Sequence, residues 1–451
     1  MKWEDLPDIV LEQIYQMLDI THRYNASMVC RHWHEAFYAP RIWETFIFKE
    51  NMLQRKKFMP YGSWQYQFNP YLAQTVLRKV AHHWKRLVIE PMTSFYNLHE
   101  FLTVVSAYID LCLQNGEEFP LPRLKCFKFR FACQQHLGGN RGKFVIGTGG
   151  KILRTLQELM QRLRGLQELQ LTHLLLEMHE ALQLLDDTLA NSGDTLRTLR
   201  VIDCAKVPHP FLHVGLFFNL RKLIISPNHV DEDVVHLLGF TRVRLVVLYQ
   251  DAYTCRCRAA PGHAWRDMRA RAPAVRIELV LTGATRSDML LQEGAPVRSI
   301  LYDTKYSVMK LNTLMFIVDN YASTLEVFAH QQIPRVHRPK SFQDRPDSNL
   351  LSLVRTCVRL HTLVIRERVS TCTLLIIAVF AERLQHFFVR RNAVILRCDW
   401  PSGPMLTECY AWLKETSRSY ELVEQEVSKK LNKPWKLLSD PEFKQLSLIT
   451  I

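Results

Sequence analysis

A short apolar pattern recurs through most of this 451-residue chain and constrains its fold more than any other feature. Each copy has three apolar positions, separated by two residues and then by one, and successive copies begin 23 to 42 residues apart. Such alternation predicts a short strand with one buried face. The clearest copies are Trp84/Leu87/Ile89, Leu124/Phe127/Phe129, Leu166/Leu169/Leu171, Leu196/Leu199/Val201, Leu220/Leu223/Ile225, Val243/Val246/Leu248, Val297/Ile300/Tyr302, Leu360/Leu363/Ile365 and Leu384/Phe387/Val389, with weaker copies at Ala274/Ile277/Leu279 and Leu325/Phe328/His330.

The stretches between copies predict helices. Residues 152–163 place apolar side chains at helical spacing, and Asp231 stands where a helix start would need a capping residue. A unit of one strand and one helix resembles a leucine-rich repeat, although standard repeats are only about 20–29 residues long. The resemblance implies an irregular α/β solenoid of short parallel strands and helices, because one unit cannot bury its own apolar face. A conventional α/β domain gives the same coarse pattern and stays open as an alternative.

The first fifty residues carry more large apolar side chains than so short a segment is able to bury alone. Residues 6–18 have apolar positions at helical spacing, with Pro7 in the first turn, where its missing N–H is not needed. Exposed apolar surface usually marks an interface, so this segment predicts a protein-docking module. The alternative is an ordinary helical hairpin that caps the domain behind it.

A specific resemblance rests on these residues. Leu6-Pro7 opening a helix, the continuation through Ile14 and Leu18, the run Val29-Cys30-Arg31-His32-Trp33 and a final Trp43 resemble an F-box, the three-helix motif that binds Skp1. Residues 19–24 depart from the plainer connection of many F-boxes. The resemblance implies that Skp1 contacts the following side chains, with Trp33 also packing inside the module: Leu6, Pro7, Ile14, Leu18, Val29, Cys30, Trp33 and Trp43.

The F-box resemblance implies that the chain is a substrate adaptor of an SCF (Skp1–cullin–F-box) ubiquitin ligase. Skp1 would connect the chain to cullin-1 and to a RING protein, and the solenoid would hold the target. The predicted division is an F-box over residues 1–50, linker helices over 51–80, a degenerate leucine-rich-repeat-like recognition domain over 81–400 and a helical tail over 401–451.

Catalytic and cofactor sites are not indicated. Cys255, Cys257 and His263 offer three zinc ligands, but no second cysteine pair follows at the spacing of a zinc finger. Neither a Gly-x-Ser-x-Gly nor a His-Glu-x-x-His sequence is present. We therefore expect a non-enzymatic chain without a cofactor or a bound metal.

The net charge of +14 favours acidic or phosphorylated protein targets. Basic residues are dispersed, and no nucleic-acid-binding motif organises them with stacking aromatic residues, so nucleic acid is an unlikely partner. A basic nucleic-acid-binding repeat protein and a scaffold that works without ubiquitin transfer stay as alternatives. Scattered cysteines in apolar contexts favour a reducing compartment, hence cytoplasm or nucleus, and the longest apolar run, residues 374–381, is too short for a membrane span.

Overall fold

Short parallel strands, most of them followed by a helix, build both halves of this protein. The computed structural model describes residues 3, 6–59, 63–136, 143–335, 341–381, 383–401 and 410–446. The chain divides into two units, Met1–Leu223 and Ile224–Ile451. No helix in the described part of the chain combines the length and the apolar character that crossing a bilayer requires.

The first unit begins with three short helices and continues with strands and helices in alternation. Its elements are α1 (Asp8–Met17), α2 (Ile20–Ser27), α3 (Arg31–Ala36), β1 (Thr45–Phe48), β2 (Gln54–Met59), β3 (Ser63–Phe68), α4 (Pro70–Val80), β4 (Arg86–Ile89), α5 (Phe95–Gln114), β5 (Cys126–Arg130), β6 (Gln134–His136), β7 (Lys143–Val145), α6 (Gly150–Arg162), β8 (Glu168–Thr172), α7 (Met178–Ser192) and β9 (Thr198–Ile202). Strand β10 (Lys222–Ile225) contains the boundary between the units.

The repeated apolar pattern aligns from strand to strand in the first unit. Strands β1, β4, β5, β8 and β9 pair in that order, and every pair is parallel. The middle apolar residue of each copy lies beside the middle residue of the next, and all of these side chains are buried: Leu87, Phe127, Leu169 and Leu199. The apolar face that one strand cannot cover is thus covered by its neighbours.

Strand β1 is a further copy of the pattern that the sequence analysis missed. Trp43, Phe46 and Phe48 have the same spacing as the other copies, and all three are buried. The ring of Phe46 stacks on Trp84 at 4.4 Å, and the ring of Phe48 stacks on Phe101 at 3.9 Å. Residues 45–48, expected at the end of the N-terminal module, therefore form the edge strand of the sheet.

The prediction of linker helices over residues 51–80 is wrong in its first half. Strands β2 and β3 form an antiparallel hairpin, and only α4 is helical. Phe58 and Tyr66 are exposed on this hairpin, whereas Phe68, at the end of β3, is buried and meets the Phe48 and Phe101 rings edge-on. Packing against these two rings anchors the hairpin to the core of the first unit.

The second unit repeats the same parallel arrangement. Its elements are α8 (Glu232–Leu238), β11 (Leu245–Gln250), α9 (Gly262–Arg271), β12 (Arg276–Thr282), β13 (Val297–Asp303), α10 (Leu311–Tyr321), β14 (Val327–Gln331), α11 (Asp347–Thr356), β15 (Thr362–Ile365), β16 (Val369–Ser370), α12 (Thr371–Phe380), β17 (His386–Val389), β18 (Val394–Ile395), α13 (Tyr410–Thr416), α14 (Tyr420–Lys430) and α15 (Asp440–Gln445). Strands β11, β12, β13, β14, β15 and β17 pair in that order, all parallel.

One irregularity interrupts this unit between β12 and β13. The register shifts at Ile277 and Glu278, so that Ile277 lies beside Val297 and Leu279 lies beside Ile300. The uniform repeat would have placed Ile277 beside Ile300 instead. With that exception, the expected fold class is confirmed: three helices at residues 8–36 precede an α/β arrangement of short parallel strands and helices.

The described helices beyond residue 401 belong to the second unit and pack on it. The Trp435 ring stacks on Phe387 at 5.3 Å, and its indole N–H donates to the Phe387 carbonyl oxygen at 2.7 Å. Arg390 and Asp440 form a two-point ion pair at 2.7 and 3.0 Å. The proposed limits of the domains, including a tail over 401–451, stay predictions.

We expect Phe101→Ala to lower the free energy of unfolding of the first unit by about 3–5 kcal/mol, because it removes a buried ring that stacks on Phe48. The matched control is Tyr96→Ala on the same helix, where the ring is exposed and its loss should cost little. Urea unfolding of both variants checks this. Equal midpoints for the two variants would contradict the role assigned to the aromatic stack.

Candidate protein-binding site on helices α1 to α3

The inner face of α1 organises the N-terminal module. Leu11 and Tyr15 lie one helical turn apart and are both buried. The Tyr15 hydroxyl donates to the carbonyl oxygen of Trp33 at 2.8 Å, which joins α1 to α3. Burial raises the pKa of Tyr15 to about 12, with a smaller contribution from Cys30, because a phenolate here would lose its hydration. The phenol therefore stays a neutral donor at physiological pH.

Both tryptophans of the predicted site lie inside the module. Trp33 is 8% exposed, and its indole N–H donates to the carbonyl oxygen of Trp3 at 3.0 Å. Trp43 is 2% exposed, meets the Phe37 ring edge-on at 5.1 Å and donates to the Phe37 carbonyl oxygen at 2.6 Å. Each indole N–H is satisfied within the chain, and the packing of Trp33 inside the module agrees with the expectation for that ring. Whether Skp1 contacts either ring stays a prediction.

The atypical stretch 19–24 forms the start of α2 and holds the module together. Asp19 caps this helix by accepting a hydrogen bond from the His22 backbone N–H at 2.9 Å, which lowers the pKa of Asp19. Arg23 donates through Nε to the Tyr15 and Leu18 carbonyl oxygens, and through Nη1 to the Ile42 carbonyl oxygen, at 2.8–2.9 Å. These bonds satisfy carbonyl groups at the end of α1 and in the turn that leads to β1.

The other six predicted residues retain surface that a partner is able to reach. Val29 is 61% exposed and Pro7 is also exposed, whereas the remaining four are half-buried: Leu6, Ile14, Leu18 and Cys30. Nothing about these side chains tests whether Skp1 contacts them, so that assignment stays a prediction.

Sequence reasoning left several exposed apolar side chains of the module out of the predicted site. Ile9 and Met17 are exposed on α1, and Tyr24 and Met28 are exposed on α2 and just after it. A helical projection of α1 would have found the first two, because they lie opposite the buried pair Leu11 and Tyr15. Outward-facing residues of this size add apolar area to the candidate site.

A groove of about 580 Å³ adjoins these residues in the first unit. The end of α1 and the start of α2 form one wall, and β1 with the segment after it forms the other. The apolar side chains that line it include Met17, Leu18, Ile20, Ile47 and Met52. One acid at its edge, Glu50, is engaged elsewhere: its Oε1 accepts hydrogen bonds from the backbone N–H groups of Thr93 and Ser94. The exposed surface of α1 therefore continues into a groove of mixed polar and apolar character beside the sheet.

No long linker separates the module from the sheet. Only Glu44 lies between the short helical turn Pro40–Trp43 and β1. Its carbonyl oxygen accepts hydrogen bonds from the N–H groups of Lys85 and Arg86 at 2.8 and 2.9 Å, and its carboxylate pairs with the Lys85 ammonium at 2.6 Å. The helices are thus fixed to the first repeat units by backbone hydrogen bonds.

The cysteine and histidine residues that offered zinc ligands do not assemble into a metal-ligand group in the part of the chain that the structure describes. His263 Nε2 lies 2.8 Å from a Glu232 carboxylate oxygen. Burial raises the pKa of the Cys257 thiol to about 11, which keeps it protonated at neutral pH. These residues show no arrangement suited to holding a metal.

Comparison with known proteins identifies the module. Residues 3–49 match the family model described as F-box-like, so the chain carries an F-box-like domain over these residues. It is similar to F-box/LRR-repeat protein 21 of Mus musculus, with 28% identity over 115 residues, which are 26% of this chain and 25% of that protein. The Bos taurus protein of the same name is 27% identical over 115 residues, again 26% and 25% of the two chains. The match thus spans about a quarter of these relatives.

Among solved structures, the chain is similar to the TLR13–ssRNA13 complex, with 12% identity, a TM-score of 0.29 and coverage of 65% of this chain and 42% of that one. A similarity this low carries no argument about function.

We expect Tyr15→Phe to destabilise the module by about 0.5–1.5 kcal/mol, because the Trp33 carbonyl oxygen loses one of its two donors and keeps only the Phe37 backbone N–H. The matched control is Tyr24→Phe, whose hydroxyl belongs to an exposed side chain. Hydrogen exchange measured by mass spectrometry should be faster in α1 and α3 of the first variant and unchanged in the second. Unchanged exchange in Tyr15→Phe would contradict the role of this bond.

The raised pKa of Tyr15 also predicts in which direction the stability of the protein changes with pH. Because the folded phenol holds its proton to about pH 12 and an unfolded one loses it near pH 10, this group contributes no pH dependence below about pH 10 and reduces stability as the pH rises from there to about 12. The loss of stability between these values should be smaller in Tyr15→Phe than in the unmodified chain, as measured by urea unfolding at each pH.

Proposed function

We propose that this protein is a substrate-recognition adaptor of an SCF-type ubiquitin ligase. In this role the F-box-like domain binds Skp1, Skp1 binds cullin-1, and cullin-1 carries the RING protein that recruits the charged E2 enzyme. What supports this role most is the match of residues 3–49 to the F-box-like family, on a module that exposes Ile9 and Met17 on α1 and Met28 and Val29 between α2 and α3.

The proposed mechanism is positioning. The parallel-strand units would hold a protein target, while the short connection through Glu44 keeps the first of them fixed to the Skp1-binding helices. A rigid arrangement raises the effective concentration of target lysines near the E2 thioester, and the E2 supplies the chemistry. The chain would then act without a catalytic residue or cofactor of its own. We place this complex in the cytoplasm or nucleus, where the described cysteines, none of which forms a disulfide, would stay reduced.

We also propose a narrower likeness, to F-box only protein 33, from the layout of the chain. It is strongest in the F-box, in residues 353–384 and in Asn432-Lys433-Pro434-Trp435. The comparisons do not confirm this likeness.

The test of Skp1 binding compares exposed apolar residues of the module with matched residues of the second unit. Met17→Asp and Val29→Asp should each weaken Skp1 binding by about tenfold or more, because an interface core rejects an unpaired charge. The matched controls are Met315→Asp and Val358→Asp, which are similarly exposed apolar residues of the second unit and should bind Skp1 like the unmodified chain. Biolayer interferometry with the full chain measures all five.

Two outcomes would overturn the proposal. One is an unmodified, folded chain that fails to bind Skp1. The other is a loss of Skp1 binding in the control variants that equals the loss in Met17→Asp and Val29→Asp. Trp33→Ala should also lose binding, but with faster hydrogen exchange throughout α1 to α3, because this ring supports the module.

Co-purification then separates the adaptor from a scaffold that uses Skp1 alone. Cullin-1 and its RING protein should be recovered with the unmodified chain and lost with Val29→Asp. Recovery of Skp1 without cullin-1 would favour the scaffold.

A further inference from the structure

Loops of the second unit gather at one edge of its sheet. Strands β11, β12, β13 and β14 are parallel neighbours, so the loops that follow them meet beyond their carboxyl ends. The side chain of Gln250, the last residue of β11, is hydrogen-bonded to the loop that follows β12. Its Nε2 donates to the Asp288 carbonyl oxygen at 2.9 Å, and its Oε1 accepts from the Leu290 backbone N–H at 3.0 Å.

The loops after β11 and β12 line an open pocket of about 400 Å³. Its lining includes the side chains of Arg256 and Arg286, together with hydroxyl-bearing Thr254 and Ser287. No carboxylate of the described residues lies within ion-pairing distance of Arg256 or Arg286, and both are exposed. The pocket therefore presents two cations and potential hydroxyl donors to a ligand.

A third arginine extends this cluster. The guanidinium carbons of Arg286 and Arg335 lie 6.0 and 5.3 Å from the centre of the Tyr306 ring. The Arg335 backbone N–H also donates to the Lys305 carbonyl oxygen, which joins the loop after β14 to the loop after β13. Cation–π contact with this ring restricts the guanidinium group of Arg286, which lines the pocket, and Arg335 adds a further positive charge on the same ring.

Negative charge inside the pocket is offset. Asp288 pairs with the Lys310 ammonium at 2.6 Å. Cys257 stays a neutral thiol at pH 7, because burial raises its pKa to about 11. Neither group cancels the charge of the two arginines that line the pocket.

We propose that this pocket binds a phosphoryl group carried by a serine or threonine of the target protein. The inference rests on the proposed function and deepens it, since it names the class of segment that the recognition part of the adaptor holds. A phosphoryl group bears nearly two negative charges and three acceptor oxygens, which suit two guanidinium forks and neighbouring hydroxyl groups.

The same geometry disfavours a single-stranded nucleic acid. Binding of that kind stacks bases on accessible aromatic rings along a basic groove. Here the Tyr306 ring is already in contact with Arg286 and Arg335, and a base would have to displace them.

The test uses the full chain on an array of degenerate peptides whose central residue is phosphoserine, phosphothreonine, serine or glutamate. Phosphorylated peptides should bind about tenfold better than serine peptides, and Arg256→Ala/Arg286→Ala should abolish that preference. The charge-matched control is Arg269→Ala/Arg276→Ala, two exposed arginines outside these loops, and it should keep the preference. If the double variant fails to fold, Arg256→Ala alone serves as the test. It leaves the Tyr306 contacts intact and should lower phosphopeptide binding.

Several results would overturn the inference: equal binding of serine and phosphoserine peptides, equal binding of glutamate peptides, or equal loss in the control. Two competition arms address other sources of phosphate. A uridine oligonucleotide or inorganic pyrophosphate that binds more tightly than the phosphopeptides would contradict the proposal that the phosphoryl group is carried by a protein.

Skp1 binding is measured on the same samples. If Skp1 binds but phosphopeptides do not, only this inference falls, and in the reverse case the adaptor role falls while the phosphoryl site stands.

Discussion

Each short strand in this protein is stable only because a neighbouring strand covers its apolar face. The residues at equivalent positions of successive copies lie side by side, as Leu87, Phe127 and Leu169 do in the first unit. A four- or five-residue strand has too little apolar surface to order itself, so the energy of the arrangement lies in the interfaces between copies. This requirement tolerates connections of very different length, since loops of 20 or 40 residues close at similar entropic cost.

The F-box-like module is joined to this arrangement through the same pattern. Phe46 and Phe48 occupy two apolar positions of a first copy, and they stack on rings that belong to the next strand and helix. Trp43 occupies the other position and is buried in the module. One run of residues therefore completes the helical module and starts the sheet. That continuity fixes the helical module to the first strands of its own unit, because the two share a core.

Much of the fold and part of the candidate site could be predicted from the sequence. The copies from Trp84 to Val389 predicted the strands of the sheet because alternating apolar residues have few other stable arrangements. The hairpin of β2 and β3 was missed because it is mostly polar and carries no strong periodic signal. The register shift at Ile277 was also beyond the sequence, since it depends on how two strands with no intervening helix fit together.

The sequence by itself determined most of the parallel strands and the helices between them, and it marked residues 6–43 as a module rich in large apolar groups. Only the tertiary structure decided which of those groups face outward. Trp33 and Trp43 lie inward, where their rings are buried and their indole N–H groups find backbone acceptors, whereas Met17 and Val29 are exposed. The basic pocket arose in the same way. Arg256 and Arg286 are distant in sequence and meet only because parallel strands end at one edge of a sheet, a long-range consequence of pairing that local patterns do not encode.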